Sequence, residues 1–157
     1  MEIKIKKLRE NAVVPVRGTA GSAGEDLCAC IDFPVVIRAG ESLVIPTGIA
    51  VAVPGKEYAS FIFARSGLGV KHGVCLSNGV GVIDSDYTGE IQVGLVNLSK
   101  QDYTIEPGER IAQLVVMPVC PFEITETDAL AETQRGAGGF GSTGRLYRRH
   151  YEREKYI

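Results

Sequence analysis

The sequence predicts an all-β domain that contains one short helix. Short runs of β-branched and aromatic residues recur along the chain, and clusters of Gly, Pro, Asp and Ser separate them. The 157 residues include 19 glycines and 7 prolines, which suits many tight turns better than long helices. A parallel α/β fold would need amphipathic helices between the strands, and none is visible. The pattern therefore favours a β-sandwich, a jelly roll or a barrel.

The predicted strands follow one another with turn signals between them. Alternating or β-branched runs predict strands at residues 3–5, 43–45, 49–53, 58–63, 91–97 and 111–117. Turns are predicted at residues 39–41, 54–56, 99–102 and 107–109. The single helix is predicted around residues 66–72, directly after a strand.

One domain accounts for most of the chain, because 157 residues leave little room for a second. We expect a β domain over residues 1–134, a flexible glycine-rich segment over 135–145 and a charged extension over 146–157. The extension is rich in Arg, Tyr and Glu, and it could form a short helix, an interface element or a disordered end.

Charge and cysteine content argue against several classes of function. The formal net charge of −2 disfavours a broad nucleic-acid surface, so phosphate binding would need local cations, backbone N–H groups or a metal. The four cysteines form no C-x-x-C pair, which favours buried thiols over a zinc site. With no apolar signal core and no stretch long enough to span a bilayer, we expect a cytoplasmic protein without membrane or nucleic-acid partners.

The segment Arg65-Ser66-Gly67 opens the predicted helix. A guanidinium, a hydroxyl and free N–H groups would converge there, which suits a phosphate. A surface arginine beside an ordinary N-cap is the alternative interpretation.

Two further segments carry carboxylates beside predicted strands. Asp84 and Tyr87 lie in a glycine-flanked segment, residues 81–90, where a carboxylate could orient and deprotonate a water; a polar hairpin turn is the alternative. Asp26 follows Glu25 ahead of a predicted strand, and hard cations such as Mg²⁺ prefer such oxygens; a solvated loop is the alternative.

The glycine-rich segment, residues 135–145, holds one aromatic residue, Phe140, among arginines and hydroxyls. It is no P-loop, since no Gly-Lys-Ser/Thr ends it, and no βαβ pattern surrounds it. A lid over a nucleotide and a flexible linker both fit this composition. Together, the carboxylates, cations and ring indicate nucleotide hydrolysis.

Five ordered motifs resemble those of the trimeric dUTPase family, and the similarity spans residues 2 to about 145. The motifs are Ala23-Gly24-Glu25-Asp26-Leu27, Arg65-Ser66-Gly67-Leu68-Gly69, Gly81-Val82-Ile83-Asp84-Ser85-Asp86-Tyr87-Thr88-Gly89, Gly108-Glu109-Arg110-Ile111-Ala112-Gln113 and residues 135–144. Their order and spacing make the resemblance specific, although each motif is short.

The resemblance implies a distorted jelly roll of the β-clip type, assembled as a homotrimer with three shared active sites. It implies a dUTP diphosphatase, in which water attacks the α-phosphate with Mg²⁺ and gives dUMP and pyrophosphate. Such an enzyme limits uracil in DNA and supplies dUMP for dTMP synthesis. One subunit would supply the first, second and fourth motifs, a second subunit the third motif, and a third subunit the tail.

The resemblance also implies a role for individual residues. Asp84 would be the general base, and Asp26 would hold Mg²⁺ through water, with the metal bound mainly by the triphosphate. Tyr87 would lie against the deoxyribose and exclude a 2′-OH, a tight hairpin at residues 78–81 would exclude the thymine methyl, and Phe140 would close over the uracil. The substrate-binding residues implied are Arg65, Ser66, Gly67, Asn78, Gly81, Val82, Ile83, Tyr87, Gln113, Arg135, Phe140, Gly141 and Ser142.

Three alternatives stay open from the sequence. A dCTP deaminase, or a bifunctional deaminase and dUTPase, would share the fold. It would use a glutamate, in a central segment of different sequence, to deaminate cytosine. A dUTPase-like module could sense the nucleotide or bind a protein without catalysis. A structural jelly roll would share the strands but has no need for a glycine-rich tail.

Overall fold

A computed structural model describes residues 2–142 of the chain. Within this range it has eleven strands and one helix, all in the first of two compact units, Met1–Phe122 and Glu123–Ile157. The elements are β1 (Lys4–Lys7), β2 (Glu25–Cys28), β3 (Val35–Ile37), β4 (Ser42–Pro46), β5 (Ile49–Ala52), β6 (Tyr58–Ala64), α1 (Ser66–His72), β7 (Val74–Leu76), β8 (Gly81–Ile83), β9 (Gln92–Asn97), β10 (Tyr103–Ile105) and β11 (Arg110–Pro118). The end of the glycine-rich segment and the predicted charged extension, residues 143–157, lie outside the described residues.

The strands form antiparallel sheets, which confirms the all-β prediction. The largest sheet holds four strands in the order β2-β11-β6-β8, and a three-stranded sheet has the order β4-β9-β7. The pairs β1-β5 and β10-β3 form two smaller sheets. Each of the six strands predicted from the sequence is present with its bounds shifted by at most two residues.

Four strands of three residues each, β3, β7, β8 and β10, were not predicted. Three residues carry too little periodicity to distinguish a strand from a loop, and only their partners in the sheet define them. Asp26 was expected ahead of a strand, but it lies inside β2, opposite Gln113 of β11. The alternative interpretation of a solvated loop at this position is therefore wrong.

The predicted helix is confirmed as α1, and local chemistry accounts for its two ends. Gly73 adopts the left-handed conformation with a φ of 71°, and its N–H donates to the carbonyl of Gly69 at 3.0 Å. Lys71 and His72 lie in the last turn, where cations suit the helix dipole. Leu68 is buried and anchors the helix to the core. Among the described residues, no helix has the length and apolar character needed to cross a membrane.

Strand β8 links the two larger sheets. It pairs with β6 in the four-stranded sheet, whereas its chain neighbours β7 and β9 pair with each other in the three-stranded sheet. The hairpins expected at residues 78–81 and around 84–87 are therefore wrong, because both segments are corners at which the chain changes sheets. The two corners place Asn78 and Asp84 at opposite ends of β8.

The core consists of apolar side chains from both larger sheets and the strand pairs. Its largest fully buried apolar side chains are Leu27, Ile37, Ile49, Val74, Ile91, Val93, Leu95, Ile105, Ile111 and Leu114. Asn97 is a polar residue inside this core with no solvent exposure. Its Nδ2 donates to the carbonyls of Ile37 and Gln101 at 3.0 and 2.7 Å, and its Oδ1 accepts from the Ser99 N–H at 3.0 Å. The amide thereby connects β9 to β3 and to the turn after β9.

Asn97→Ala is expected to lower the free energy of unfolding by about 2–4 kcal/mol, because two carbonyls and one N–H would lose their partner in the interior. Urea unfolding followed by circular dichroism measures this change. Gln92→Ala, on the exposed face of the same strand, is the control and should stay within about 0.5 kcal/mol of the wild type. Equal losses in the two variants would contradict the assignment.

Candidate active site

Asp26 lies at the centre of a group of charged side chains. Its Oδ1 accepts a hydrogen bond from Nε of Arg65 at 2.7 Å, and its Oδ2 accepts one from Nη1 of Arg110 at 3.0 Å. The Asp26 side chain is only 20% exposed, so both ion pairs are partly shielded from water. We call Asp26, Arg65 and Arg110 the Asp26 cluster. Two guanidiniums against one carboxylate leave this cluster with a net positive charge.

The strand register brings Gln113 to the same cluster. In the four-stranded sheet Gln113 lies opposite Asp26 on one side and opposite Phe63 on the other. Its Nε2 donates to the carbonyl of Ala64 at 2.9 Å, one residue before Arg65. Three predicted site residues from the first, second and fourth motifs therefore meet on one face of this sheet.

Ser66 and Gly67 follow the cluster as the first residues of α1. The backbone of Arg65 is extended, with φ −90° and ψ 131°, and its carbonyl accepts from the N–H groups of Leu68 and Gly69. No side chain caps the helix start, and both Ser66 and Gly67 are exposed. The Ser66 hydroxyl and the first-turn amides are thus presented beside two arginines, in an arrangement that suits a phosphate.

A basic pocket of about 280 Å³ extends from the Asp26 cluster. Its lining residues are Arg65, Gly67, Leu68, Lys71, His72, Tyr103, Glu109 and Arg110. The Tyr103 ring packs against His72 with a centroid distance of 4.9 Å, and its hydroxyl donates to Oε1 of Glu109 at 2.5 Å. Burial, reinforced by that hydrogen bond and the Glu109 charge, raises the pKa of Tyr103 to about 12. The phenol therefore stays protonated and holds the Glu109 carboxylate in place.

Asp84 and Tyr87 line a separate cleft of about 230 Å³. The turn that carries them is closed by the Tyr87 N–H, which donates to the Asp84 carbonyl at 3.1 Å. The Tyr87 hydroxyl donates to the carbonyl of Glu90 at 3.0 Å and lays the ring across the turn. A Cβ on Gly89 would lie 2.5 Å from that hydroxyl oxygen, so only glycine leaves room for the ring in this position.

The corner before β8 carries Asn78. Gly79 has a φ of 74°, and the Val80 N–H donates to the Asn78 carbonyl at 2.9 Å, which makes this corner tight. A Cβ on Gly81 would lie 3.0 Å from Cβ of Ile62, so β8 approaches β6 closely at this point. The Asn78 side chain is exposed beside the first residues of β8, where Gly81, Val82 and Ile83 follow.

The tail residues Arg135 to Ser142 belong to the second compact unit and form consecutive turns. Nε of Arg135 donates to the Gly138 carbonyl at 2.8 Å, and the Ser142 N–H donates to the Gly139 carbonyl at 3.1 Å. Phe140 has a φ of 47°, which is uncommon for a residue with a side chain, and its ring is fully exposed. Gly141 follows with a φ of 98°.

Within one chain, Asp84 and the Asp26 cluster lie at opposite ends of the four-stranded sheet. Asp26 pairs through Gln113 with Phe63 of β6, whereas Ile83, next to Asp84, pairs with Ser60 of β6. Strand spacing and rise put the backbone positions of Asp26 and Asp84 roughly 14 Å apart across the strands and roughly 13 Å apart along them. The carboxylate of Asp84 therefore does not reach the cluster of its own chain.

The charged groups around Asp26 bear on how a metal could bind. Among the described residues, no three His, Cys, Asp or Glu side chains form a group that could hold a metal ion. Glu25, the neighbouring carboxylate, pairs with Nε of Arg17 at 2.9 Å on the other face of β2. Burial, with the Asp26 charge adding, raises the pKa of the Cys28 thiol, which stays neutral beside the cluster. The Asp26 carboxylate is thus an oxygen donor of the kind that a hydrated hard cation such as Mg²⁺ prefers.

Several residues of these sites are not singled out by the sequence, and Arg110 and Glu90 are two of them. Arg110 belongs to the fourth motif but was given no role, and its contact with Asp26 depends on the pairing of β11 with β2. Glu90 lines the Asp84 cleft, and its carboxylate accepts from the Gly48 N–H at 2.9 Å and pairs with Arg9 at 3.3 Å. These contacts join positions more than forty residues apart, so no local pattern could have indicated them.

Comparison with protein-family models matches residues 10–144 to the family described as dUTPase. The chain belongs to the dUTPase family. This confirms the resemblance that the five motifs indicated, and the family match covers nearly all of the described residues.

Bacterial relatives of the dUTPase family match this chain along nearly their whole length. A deoxyuridine 5′-triphosphate nucleotidohydrolase from Polynucleobacter asymbioticus is 49% identical over 145 residues, covering 92% of this chain and 97% of that protein. A protein of the same name from Neisseria meningitidis serogroup A is 47% identical over 144 residues, covering 92% of this chain and 96% of its own.

Solved dUTPase structures share the fold. The dUTPase of Staphylococcus bacteriophage 80alpha, in a structure with dUpNHpp, superposes with a TM-score of 0.83 at 28% identity, covering 92% of this chain and 99% of that one. The dUTPase of phage phi11 of S. aureus, described with a structural Mg(II) ion, has a TM-score of 0.75 at 25% identity, covering 84% and 100% of the two chains. The expected jelly-roll-like β fold is thereby confirmed.

The alkaline titration of Tyr103 tests the contact between Tyr103 and Glu109, which both line the basic pocket. Subtracting the ultraviolet pH titration of Tyr103→Phe from that of the wild type should give one tyrosine with a pKa approaching 12, because burial and Glu109 disfavour the phenolate. Circular dichroism at each pH shows whether the protein is still folded. A difference curve centred near pH 10 in folded protein would contradict the Tyr103–Glu109 contact.

Proposed function

We propose that this chain hydrolyses dUTP to dUMP and pyrophosphate by Mg²⁺-dependent attack of water on the α-phosphate, at a site that several copies share. Membership of the dUTPase family supports the reaction. The observation that carries the site is the separation, in one chain, of a positive Asp26 cluster from an Asp84 cleft. This activity would limit uracil in DNA and supply dUMP for dTMP synthesis. We expect the protein to act in the cytoplasm.

The phosphate chain of the substrate would bind beside the Asp26 cluster. Arg65 and the Ser66 hydroxyl lie together at the start of α1, and the Gly67 amide follows them. Gln113 lies across from Asp26 on the neighbouring strand. A triphosphate is strongly anionic, so the net positive charge of the cluster favours it and offsets charge that would repel an attacking water.

Mg²⁺ would accompany the triphosphate, and Asp26 would contact it through bound water. Each oxygen of the Asp26 carboxylate accepts one hydrogen bond from an arginine and retains acceptor capacity for a water. When bound, the ion supplies positive charge at the phosphates and helps to orient them. A dUTPase of phage phi11 of S. aureus is described with a structural Mg(II) ion, so a protein of this family holds the metal at least in a structural role.

Asp84 would act as the general base. It lies in a cleft where its carboxylate could accept a proton from a water and aim that water at the α-phosphate. Tyr87, fixed across the same turn by Glu90, would form the wall against the deoxyribose and leave no space for a 2′-OH. The site would thus place sugar recognition and water activation on one rigid corner.

The uracil would be recognised at the corner before β8. Asn78 and the backbone of Gly81, Val82 and Ile83 present hydrogen-bonding groups along one edge. The tight corner would leave no room for the thymine methyl, and cytosine would place a donor where uracil offers an acceptor. Such specificity depends on steric exclusion of the wrong base, and on hydrogen-bonding groups that the wrong base would leave unpaired, more than on attractive contacts with uracil.

The tail would close over the bound nucleotide. Phe140 would stack on the uracil, while Arg135, Gly141 and Ser142 would meet the phosphates. Ordering about ten residues costs on the order of 10 kcal/mol, so only a ligand with a full phosphate chain would compensate for closure. The full exposure of the Phe140 ring suits a side chain that acts on a ligand.

A homotrimer would bring the two halves of the site together. The outer face of the four-stranded sheet is apolar beside Gln113, where Phe61, Phe63, Val82 and Val115 are exposed or half-buried. Further large apolar side chains, Ile124 and Leu130, are 88% and 87% exposed. Apolar surface of this extent favours contact with other copies, and closed symmetry is the usual outcome for identical chains.

Asp84→Asn is expected to lower kcat for pyrophosphate release from dUTP by about 10²–10⁴-fold while binding of dUpNHpp persists, because the amide cannot accept the proton. The assay compares dUTP, dCTP, dTTP and UTP with and without Mg²⁺. Asp86→Asn, two residues away on the same turn and exposed, is the control and should retain activity. Unchanged turnover in Asp84→Asn would remove it as the base, and ammonia release from dCTP would indicate the deaminase instead.

Mixing two variants of low residual activity tests whether the site is shared. Asp84→Asn and Asp26→Asn chains, co-expressed with different tags and purified as mixed trimers, should recover up to about a third of wild-type activity, since one of the three sites in each mixed trimer pairs two intact halves. Each variant alone should keep only a small residual activity, at least about tenfold below that of the mixed trimers. Mixed assemblies no more active than their parents would contradict a site built from neighbouring copies.

A further inference from the structure

Arg110 contacts both other members of the Asp26 cluster. Its Nη1 donates to Oδ2 of Asp26 at 3.0 Å, and its main-chain carbonyl accepts from Nη1 of Arg65 at 3.1 Å. Arg65 in turn donates through Nε to Oδ1 of Asp26 at 2.7 Å. The three residues form a closed ring of hydrogen bonds in which each touches the other two. Neither oxygen of the carboxylate is free to rotate away from its partner.

A β-bulge places Arg110 on the face that Asp26 occupies. The pairing of β11 with β2 runs from Gln113 opposite Asp26 to Ala112 opposite Leu27, and it then shifts so that Arg110 lies opposite Cys28. In a regular strand, Arg110 would point to the opposite face from Gln113, because side chains alternate. The extra residue, Ile111, is fully buried and takes its place in the core. The bulge thus turns the arginine outward to the cluster.

The segment just before Arg110 is held from several directions. Gly108 adopts a φ of 77°, its N–H donates to the Ala29 carbonyl at 2.9 Å, and the Ala29 N–H donates to the Glu109 carbonyl at 2.8 Å. The Glu109 carboxylate accepts from the Tyr103 hydroxyl through one oxygen and from the Glu106 N–H through the other. The backbone that carries Arg110 is therefore fixed, although its side chain is 59% exposed.

We propose that Arg110 is a positioning residue, which holds Asp26 and Arg65 in the single orientation needed to align the magnesium triphosphate. The inference rests on the proposed dUTP hydrolysis. A carboxylate bonded by one arginine can still turn about its terminal torsion, whereas one bonded through both oxygens cannot. Arg110 acts on catalysis through Asp26, and its removal changes the alignment of the phosphates more than their affinity.

The central variant is Arg110→Gln, measured by steady-state pyrophosphate release from dUTP with saturating Mg²⁺. We expect kcat to fall by about 10–100-fold with KM within about threefold of the wild type, because misalignment of reacting groups affects the chemical step. Arg110→Lys keeps a donor for Oδ2 of Asp26 and should recover at least half of that loss on a logarithmic scale. A raised KM with unchanged kcat would overturn the inference, since it would make Arg110 a direct phosphate contact.

A double-mutant cycle shows whether Arg110 works through Asp26. Adding Arg110→Gln to Asp26→Asn should lower kcat by less than about threefold, because the group that Arg110 positions is already altered. If the fold-decreases in kcat of the two single variants multiplied in the double variant, Arg110 would not act through Asp26. Thermal unfolding of all variants shows that they fold, and the Arg110→Lys variant tests the inference even if Arg110→Gln is unstable.

Arg17→Gln is the matched control. It breaks the ion pair between Arg17 and Glu25, the neighbour of Asp26 on β2, whose N–O distance is 2.9 Å. The Arg17 and Glu25 side chains are 55% and 24% exposed, which is close to the 59% and 20% of Arg110 and Asp26. Its kcat should stay within about twofold of the wild type, because surface ion pairs alone contribute little. An equal loss in Arg17→Gln would overturn a specific role for Arg110. A wild type that leaves dUTP intact would instead overturn the proposed function, and this inference with it.

Discussion

The carboxylate of Asp26 holds two guanidinium groups that would otherwise repel each other. Arg65 approaches it from just beyond the end of β6 and Arg110 from the start of β11, and each donates to a different oxygen. Without the acid, two like charges at this distance would be costly in a partly shielded site. With it, the cluster keeps one net positive charge at a fixed place, which a polyphosphate can neutralise. The phosphate side of the site depends on this arrangement.

Electrostatics and sheet geometry together explain how a protein with a formal charge of −2 can bind a triphosphate. The positive charge is local, because the basic pocket gathers Lys71 of α1 together with the Asp26 cluster. Neutral groups support the same region, since Tyr103 and Cys28 both have a raised pKa and carry no competing negative charge. Net charge is therefore a poor guide to phosphate binding when the cations are gathered at one sheet edge.

The length of β6 separates the two halves of the chemistry. Near one end of the strand, Ser60 pairs with Ile83, the residue before Asp84. Near the other end, Phe63 pairs with Gln113, which lies opposite Asp26. As the proposed general base, Asp84 would act on a triphosphate bound by another copy, because it lies far from the Asp26 cluster of its own chain. The exposed apolar face of the same sheet offers the surface on which copies would meet. The four-stranded sheet would then serve both assembly, through its apolar face, and catalysis, through the two half-sites that it carries.

The sequence by itself determined the class of fold, the position of α1 and six of the strands, because hydrophobic periodicity and turn residues are local properties. It also determined the family, since five short motifs in order are read from the chain without coordinates. Asp84, Tyr87 and Asp26 were recognised as chemically suited residues for the same reason. The three-residue strands escaped prediction, because only their partners define them.

Only the tertiary structure decided which of these residues meet. The bulge at Ile111 turns Arg110 towards Asp26, the register of β11 brings Gln113 beside them, and the corners around β8 replace the expected hairpins. Each of these depends on pairing between segments far apart in the chain, with Asp26 and Arg110 separated by 84 residues. A local pattern carries no information on such pairing, since burial of a shared core selects the register and the register then sets the geometry of the site.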